Sequence, residues 1–205
     1  SAIILSRKVK NIETDSLQFK QQINNQSATI CSSENALLNL FIQKMYNVDP
    51  DMIVGHGIYT NHLDIILSRI SKLKISNWSK LGKMKREIFP KFLQSNNSTY
   101  VRTCLIGRLL CDTYISCRDI LRESNYDIEF LAGKYLNVAY EEIDVFGLIE
   151  RLNQTNATGA HIRLCKHAIE ESLLSIKLMH KMKILQLSKQ LTNIAGNLWI
   201  KSLQN

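Results

Sequence analysis

An α/β fold, a mixed sheet flanked by helices, is predicted by three features of this chain. Short β-prone stretches come first, an apolar strand-like run then enters a helix through a glycine turn, and helical periodicity occupies the remainder. Strands first, then alternating helix and strand, then helices: that order places functional residues where a helix follows a strand.

The β-prone stretches are residues 2–9, 16–21 and 27–31, separated by polar, turn-rich connections at 11–15 and 24–26. This spacing predicts an antiparallel meander. Ser32 or Ser33 caps a helix whose apolar face is Leu37, Leu38, Leu40, Phe41, Met45 and Val48, and Asp49-Pro50 stops it. Residues 52–54 read as a short buried strand, 63–73 as an amphipathic helix and 93–99 as a polar loop. The run LLCDTYISC at 109–117 reads as a strand with a buried first half. Asp112 lies in it, a carboxylate near a strand end with many structural uses. Helices are predicted at 128–137 and 141–153 and a loop at 154–159. A long helix then runs from Ala160 through Met182, with another toward Trp199. Neither an internal repeat nor a low-complexity tract is present.

A chain of 205 residues, 45% hydrophobic and 21% charged, can bury one good core, so a single domain over 1–205 is expected. No stretch approaches the roughly 18 to 20 apolar residues of a membrane span, and residues 1–10 lack the ordered regions of a signal peptide. A soluble protein with no membrane partner is expected. Its start on a strand-like segment without Met, and its end inside a helical pattern, predict a fragment of a longer polypeptide. The cysteines, Cys31, Cys104, Cys111, Cys117 and Cys165, are odd in number and form no C-x-x-C pair. Neither a disulfide framework nor a zinc ribbon is indicated, which suits a reducing compartment. His161 and Cys165 share a helical spacing, but two ligands do not make a tetrahedral metal site.

The net charge of +8 is unevenly spread. Lys72, Lys74, Lys80, Lys83, Lys85, Arg86 and Lys91 crowd one stretch in which Glu87 is the only carboxylate. Such a field attracts phosphate, and Trp78 within it either offers a stacking face or packs into the core. The nucleic-acid-binding candidates are therefore Lys72, Lys74, Trp78, Lys80, Lys83, Lys85 and Arg86. The alternative is a solvated basic loop.

Four motifs carry a resemblance: VGHGIY at 54–59, WSKLGKMKR at 78–86, LLCDTYIS at 109–116 and LTNIAGN at 191–197. In their order and spacing the chain resembles the exonuclease-like domain of eukaryotic DNA polymerase alpha catalytic subunits, within family B. The resemblance spans most of the chain and implies a ribonuclease-H-like fold. It also implies that the polymerase palm lies beyond Asn205, so this chain alone is expected to lack polymerase activity. The implied setting is primer extension at the initiation of nuclear DNA replication. The implied partners are DNA and RNA–DNA primer-template, the remaining polymerase domains, primase and a regulatory B subunit. Magnesium is implied for the whole polymerase and no cofactor for this domain.

A proofreading exonuclease holds two divalent cations roughly 4 Å apart. Hard cations need oxygen ligands, supplied in such sites by about four carboxylates. The family's first motif is Asp-x-Glu on the opening strand, where AIILSRKVK aligns Ser6 and Lys8, give or take one residue. A lysine there repels the metal. The second motif has Asn, three residues, then Phe-Asp; this chain supplies Gly57, Asn61 and His62. Asp64 does not replace His62, because two residues along a helix turn to another face. The third, Tyr-x-x-x-Asp, aligns with HAIEE, in which His167 replaces the tyrosine and Glu171 keeps a carboxylate. Ser6, Lys8, Gly57, His62, His167 and Glu171 are thus degenerate exonuclease positions, and neither a catalytic residue nor a metal ligand is expected among them. An imidazole beside a carboxylate suits a general base, but no motif places a nucleophile for it. The expected role is a catalytically inactive domain that supports the polymerase and its nucleic-acid channel. The competing readings are a stand-alone basic nucleic-acid-binding module, marked by salt-sensitive binding, and an active 3′-5′ exonuclease, which would need the missing carboxylates.

Overall fold

Residues 3–7, 27–90, 97–140 and 158–203 are described by a computed structural model. The fold is α/β and mostly helical, and the described strands form two parallel pairs. The predicted strand at 16–21, the turns at 11–15 and 24–26, and the helix at 141–153 lie outside the described residues.

The chain divides into two units, residues 1–41 with 141–171, and residues 42–140 with 172–205. In the first, strand β1 (Ile3–Arg7) pairs in parallel with β2 (Ser27–Cys31), Ile3 opposite Ser27 and Arg7 opposite Cys31. This corrects the meander, in which the first and third stretches would not be neighbours. Strand order is set by which faces must be buried, and a parallel pair needs a crossover rather than a tight turn.

Helix α1 (Glu34–Val48) starts as its sequence requires: the Ser33 hydroxyl oxygen accepts from the Ala36 amide at 3.2 Å. Leu38 and Ile42 are buried, whereas Val48, assigned to the apolar face, is 66% exposed. Asp49 then breaks the helix at φ 43°.

In the second unit, β3 (Met52–Gly55) and β4 (Leu109–Asp112) pair in parallel, Met52 opposite Leu109 and Gly55 opposite Asp112. After Gly57 the chain makes a π-helical turn (Ile58–Leu63) that runs into α2 (Asp64–Lys72). The helical stretch therefore begins earlier than its periodicity suggested, because Ile58, Tyr59 and Leu63 are buried with Leu67 and Ile70. Full burial of a side chain such as Ile70 contributes about 1.5–3 kcal/mol. α2 packs on α3 (Asn97–Cys104), which occupies the end of the predicted 93–99 loop; residues 91–96 lie outside the described residues.

The predicted strand at 109–117 is corrected as well. It stops at Asp112, and Thr113–Ile120 forms helix α4. A short α5 (Ile128–Leu131) continues as a π-helical turn (Ala132–Leu136) and ends on Asn137 in the left-handed region. Helix α6 (Thr158–Lys181) takes in the end of the predicted 154–159 loop and agrees with the long helix expected from Ala160. Lys183, left-handed at φ 52°, separates it from α7 (Ile184–Ala195), and Gly196 at φ 60° ends α7. The motif LTNIAGN is thus a helix end. Its glycine adopts the conformation a C-cap requires, and the Asn197 amide donates to the Thr192 carbonyl at 3.2 Å. Helix α8 (Trp199–Leu203) folds back, with Trp199 Nε1 donating to Ser188 Oγ at 3.0 Å. Cys111, Met179, Ile184 and Leu203 form a core cluster against which Met52, Val54 and Trp199 pack.

Candidate nucleic-acid interface and exonuclease-motif positions

The basic stretch is built on a 3-10 segment, Ser76–Leu81, that turns Trp78 and Leu81 inward. Trp78 is 4% exposed and meets Phe89 edge-on at 4.8 Å between ring centroids; Phe89 in turn lies 6.2 Å from Tyr100. Of the two readings of Trp78, core packing is the one realised, and its ring presents no stacking face.

The cations around it differ in their partners. Lys72, Lys74, Lys80, Lys83 and Lys85 are exposed and Arg86 is half-buried. Lys83 is engaged by Asp51 through a short ion pair and by Asp49 at 3.8 Å, and Arg86 Nη1 donates to the Thr103 carbonyl at 3.5 Å. The Lys83 hydrogen bond and charge hold the Asp51 carboxyl below its usual range. Lys80, Lys83, Lys85 and Arg86 line a groove of about 680 Å³; Lys72 and Lys74 do not.

Arg108 anchors this segment from beneath. Only 2% exposed, it donates from Nε to the Leu81 carbonyl at 2.7 Å and from Nη1 to the Pro50 carbonyl, and pairs with Asp49 at 2.8 Å. Gly82 completes the junction, since a Cβ there would lie 2.9 Å from the Ile106 carbonyl oxygen and 3.1 Å from that of Cys104. Gly82→Ala is therefore expected to cost about 1–3 kcal/mol in chemical denaturation. A loss below about 0.5 kcal/mol would show that the backbone gives way freely there.

A second cluster sits at the carboxyl ends of β3 and β4. Asp112 is 4% exposed, and its Oδ1 accepts from the Gly57 amide and the Tyr114 amide, each at 2.9 Å. Gly57 stands at φ 64°, a conformation that favours glycine. His56 Nε2 lies 2.9 Å from the Tyr126 carbonyl oxygen, which only accepts, so Nε2 carries the proton. Its Nδ1 lies 2.9 Å from Thr113 Oγ1, whose hydroxyl also faces the Gly55 carbonyl oxygen at 3.3 Å. The Tyr126 hydroxyl donates to the Leu121 carbonyl and accepts from the Glu123 amide, each at 2.9 Å, which shapes the loop that presents the carbonyl to His56. Both ring nitrogens of His56 are engaged and Thr113 is fully buried, so the cluster braces the strand ends. Sequence reasoning passed over His56 and Arg108 and ranked Asp112 low. The available signal was His-Gly and Gly-Arg next to the two short apolar strands.

The exonuclease-motif positions are distributed as follows. Ser6 lies in β1 opposite Ile30, and Lys8 lies outside the described residues. Gly57 forms the turn after β3; His62 is exposed, whereas Asp64 is half-buried. His167 and Glu171 are half-buried on α6. Gly57 and His62 belong to one unit and Ser6, His167 and Glu171 to the other. Of the residues that the resemblance aligns with the exonuclease motifs, Glu171 alone carries a carboxylate, the donor that hard cations prefer. Among the described residues no group of three or more His, Cys, Asp or Glu side chains is arranged to hold a metal ion. Burial pushes the Cys104 and Cys111 thiols up to about 12 and Cys117 up to about 11, so these thiols stay protonated and unreactive near neutrality.

Residues 2–131 match the model of a family described as DNA polymerase family B, exonuclease domain. The chain belongs to that family. Its similar proteins include the DNA polymerase alpha catalytic subunits of Arabidopsis thaliana, 38% identical over 185 residues, and of Oryza sativa subsp. japonica, 35% identical over 181 residues. These alignments cover 86% and 84% of this chain and 12% of each relative. The same subunit of Oxytricha trifallax is 35% identical over 198 residues, covering 91% of this chain and 13% of the relative. The chain thus corresponds to a small part of the proteins it matches. The family B exonuclease match takes in Ser6, Lys8, Gly57 and His62 together with the Asp112 brace, while His167 and Glu171 lie past its end. No helix of the described residues is long and apolar enough to cross a membrane.

Proposed function

We propose that this chain is a single exonuclease-like domain, ribonuclease-H-like in fold, of a DNA polymerase alpha catalytic subunit, and that it is catalytically silent. One feature of the sequence carries the reading: by resemblance, Ser6, Lys8, Gly57, His62 and His167 align with positions where the family's exonucleases need metal-binding and water-orienting groups, and Glu171 alone retains a carboxylate. A lysine ammonium in place of a carboxylate opposes cation binding, and neutral imidazole is a poor ligand for magnesium. The names of the similar proteins support the polymerase assignment.

In this role the domain supports the polymerase domains of the same polypeptide and lends positive charge to the nucleic-acid channel during primer extension in the nucleus. Its partners are DNA and RNA–DNA primer-template, with primase and a regulatory B subunit acting on the whole polymerase. Magnesium belongs to the polymerase site elsewhere in that protein. The exposed Lys72, Lys74, Lys80 and Lys85 favour direct contact with phosphates.

The test is release of label from a 3′-labelled single strand and from a mismatched primer-template, with magnesium and then manganese. No release is expected. His62→Asp alone is expected to stay inactive, because Ser6 and Lys8 still spoil the metal site. Metal-dependent release that disappears with Glu171→Gln would sink the proposal.

A further inference from the structure

The groove in the basic segment has an aromatic wall contributed from outside that segment. Tyr46, near the end of α1, is 58% exposed and lines the groove together with Lys80 and Lys85. The Lys80 ammonium lies over the Tyr46 ring, 5.3 Å from its centroid. Among the described residues that line the groove, Glu87 is the only carboxylate. A solvated lysine patch needs no such ring, and Trp78, the aromatic residue that the sequence places in the segment, is buried.

We propose that this groove binds single-stranded nucleic acid, with an unpaired base stacked on Tyr46 and the adjoining phosphates on Lys80 and Lys85. The inference rests on the reading above that the domain touches nucleic acid, and it names the strand form and the groove. An aromatic ring beside ammonium groups matches the two halves of a nucleotide, a flat π face and an anion. A duplex keeps its base faces stacked on one another and has none to offer the tyrosine. When a base takes the ring face, the Lys80 ammonium moves from the ring onto the phosphate, exchanging a cation–π contact for an ion pair. An acidic peptide would use the lysines and leave the ring idle. None of the exonuclease-motif residues takes part.

Binding of a fluorescein-labelled dT oligonucleotide, and of the same strand carrying abasic sites, separates the contributions. Tyr46→Ala is expected to weaken dT binding about 5- to 100-fold and to leave the abasic strand nearly unaffected. Tyr46→Phe, which keeps the ring, should bind as the wild type does. The double variant Lys80→Gln, Lys85→Gln should weaken both strands. It should also reduce the slope of log affinity against log salt by about 1.4, two single-strand phosphate contacts at roughly 0.7 each. Equal losses on both strands for Tyr46→Ala, or no loss, would overturn the stacking site while leaving charge-based nucleic-acid contact intact. Equal competition by polyglutamate would also overturn it, marking a general anion surface. Failure of the wild type to bind either strand would remove the inference and the nucleic-acid part of the proposed function together. The nuclease result would be untouched by any of these outcomes.

Discussion

Arg108→Met is expected to destabilise the protein by about 3 kcal/mol in urea unfolding, the largest effect of any single substitution considered for this chain. The guanidinium is buried and serves three acceptors at once: the Leu81 carbonyl, the Pro50 carbonyl and the Asp49 carboxylate. Methionine fills similar space and donates nothing, so the buried Leu81 carbonyl and the half-buried Pro50 carbonyl lose a charged donor worth roughly 1.5–3 kcal/mol apiece before water and relaxation recover part of it. The ion pair adds less, because Asp49 is 59% exposed and water screens it. Arg108→Lys should recover under half of the loss, since one ammonium on a flexible stem cannot reproduce a planar fork directed at separated acceptors. The damage should be localised too. Trypsin should cleave at Lys83, Lys85 and Arg86 faster in the variant, because Arg108 ties the turn before β3 to the segment that carries those residues. A Met variant as stable as the wild type would mean that the geometry overstates the anchor.

Asp112→Ala comes second, with an expected cost of about 1–3 kcal/mol. One carboxylate oxygen accepts from both the Gly57 and Tyr114 amides, so it closes the turn after β3 and caps the helix after β4. Its removal leaves both amides without that acceptor, one of them in a buried setting. Asp112→Asn discriminates between charge and geometry. Asparagine offers a carbonyl oxygen at the same place, so it should retain more than half of the stability if acceptance governs, and less if charge does. An alanine variant within about 0.5 kcal/mol of wild type would remove Asp112 from the account. A loss of stability on Asp112→Ala, in a protein that releases no nucleotide before or after the change, would show that an acid near a strand end is here a structural device.

Much of the helical framework was legible in the residues. Ser33 caps α1 through a contact three residues away, Asp49-Pro50 ends it, and the long helix runs close to its predicted bounds, because these signals act within one or two turns of chain. The run LLCDTYISC failed for the opposite reason. Its first half has the apolar character of a strand, but Asp112 starts a helix there by accepting from the Tyr114 amide, and the same oxygen is held by the amide of Gly57, far away in sequence. Composition could not rank the two fates of Trp78 either. Whether an aromatic residue in a basic stretch faces solvent or Phe89 depends on the packing of residues brought from elsewhere.

The sequence by itself determined the chemistry available: the crowding of cations between Lys72 and Lys91, the glycines at turns, and the identities of Ser6, Lys8, Gly57, His62, His167 and Glu171, of which Glu171 alone is a carboxylate. Side-chain identity cannot be altered by folding. Only the tertiary structure decided that β1 pairs in parallel with β2, that Arg108 and Asp112 work as anchors, and that Tyr46 rather than Trp78 lines the basic groove. Each of these joins residues widely separated along the chain. Pairings of that kind are chosen by burial and hydrogen-bond satisfaction over the whole fold, and they leave no periodic trace in the local sequence.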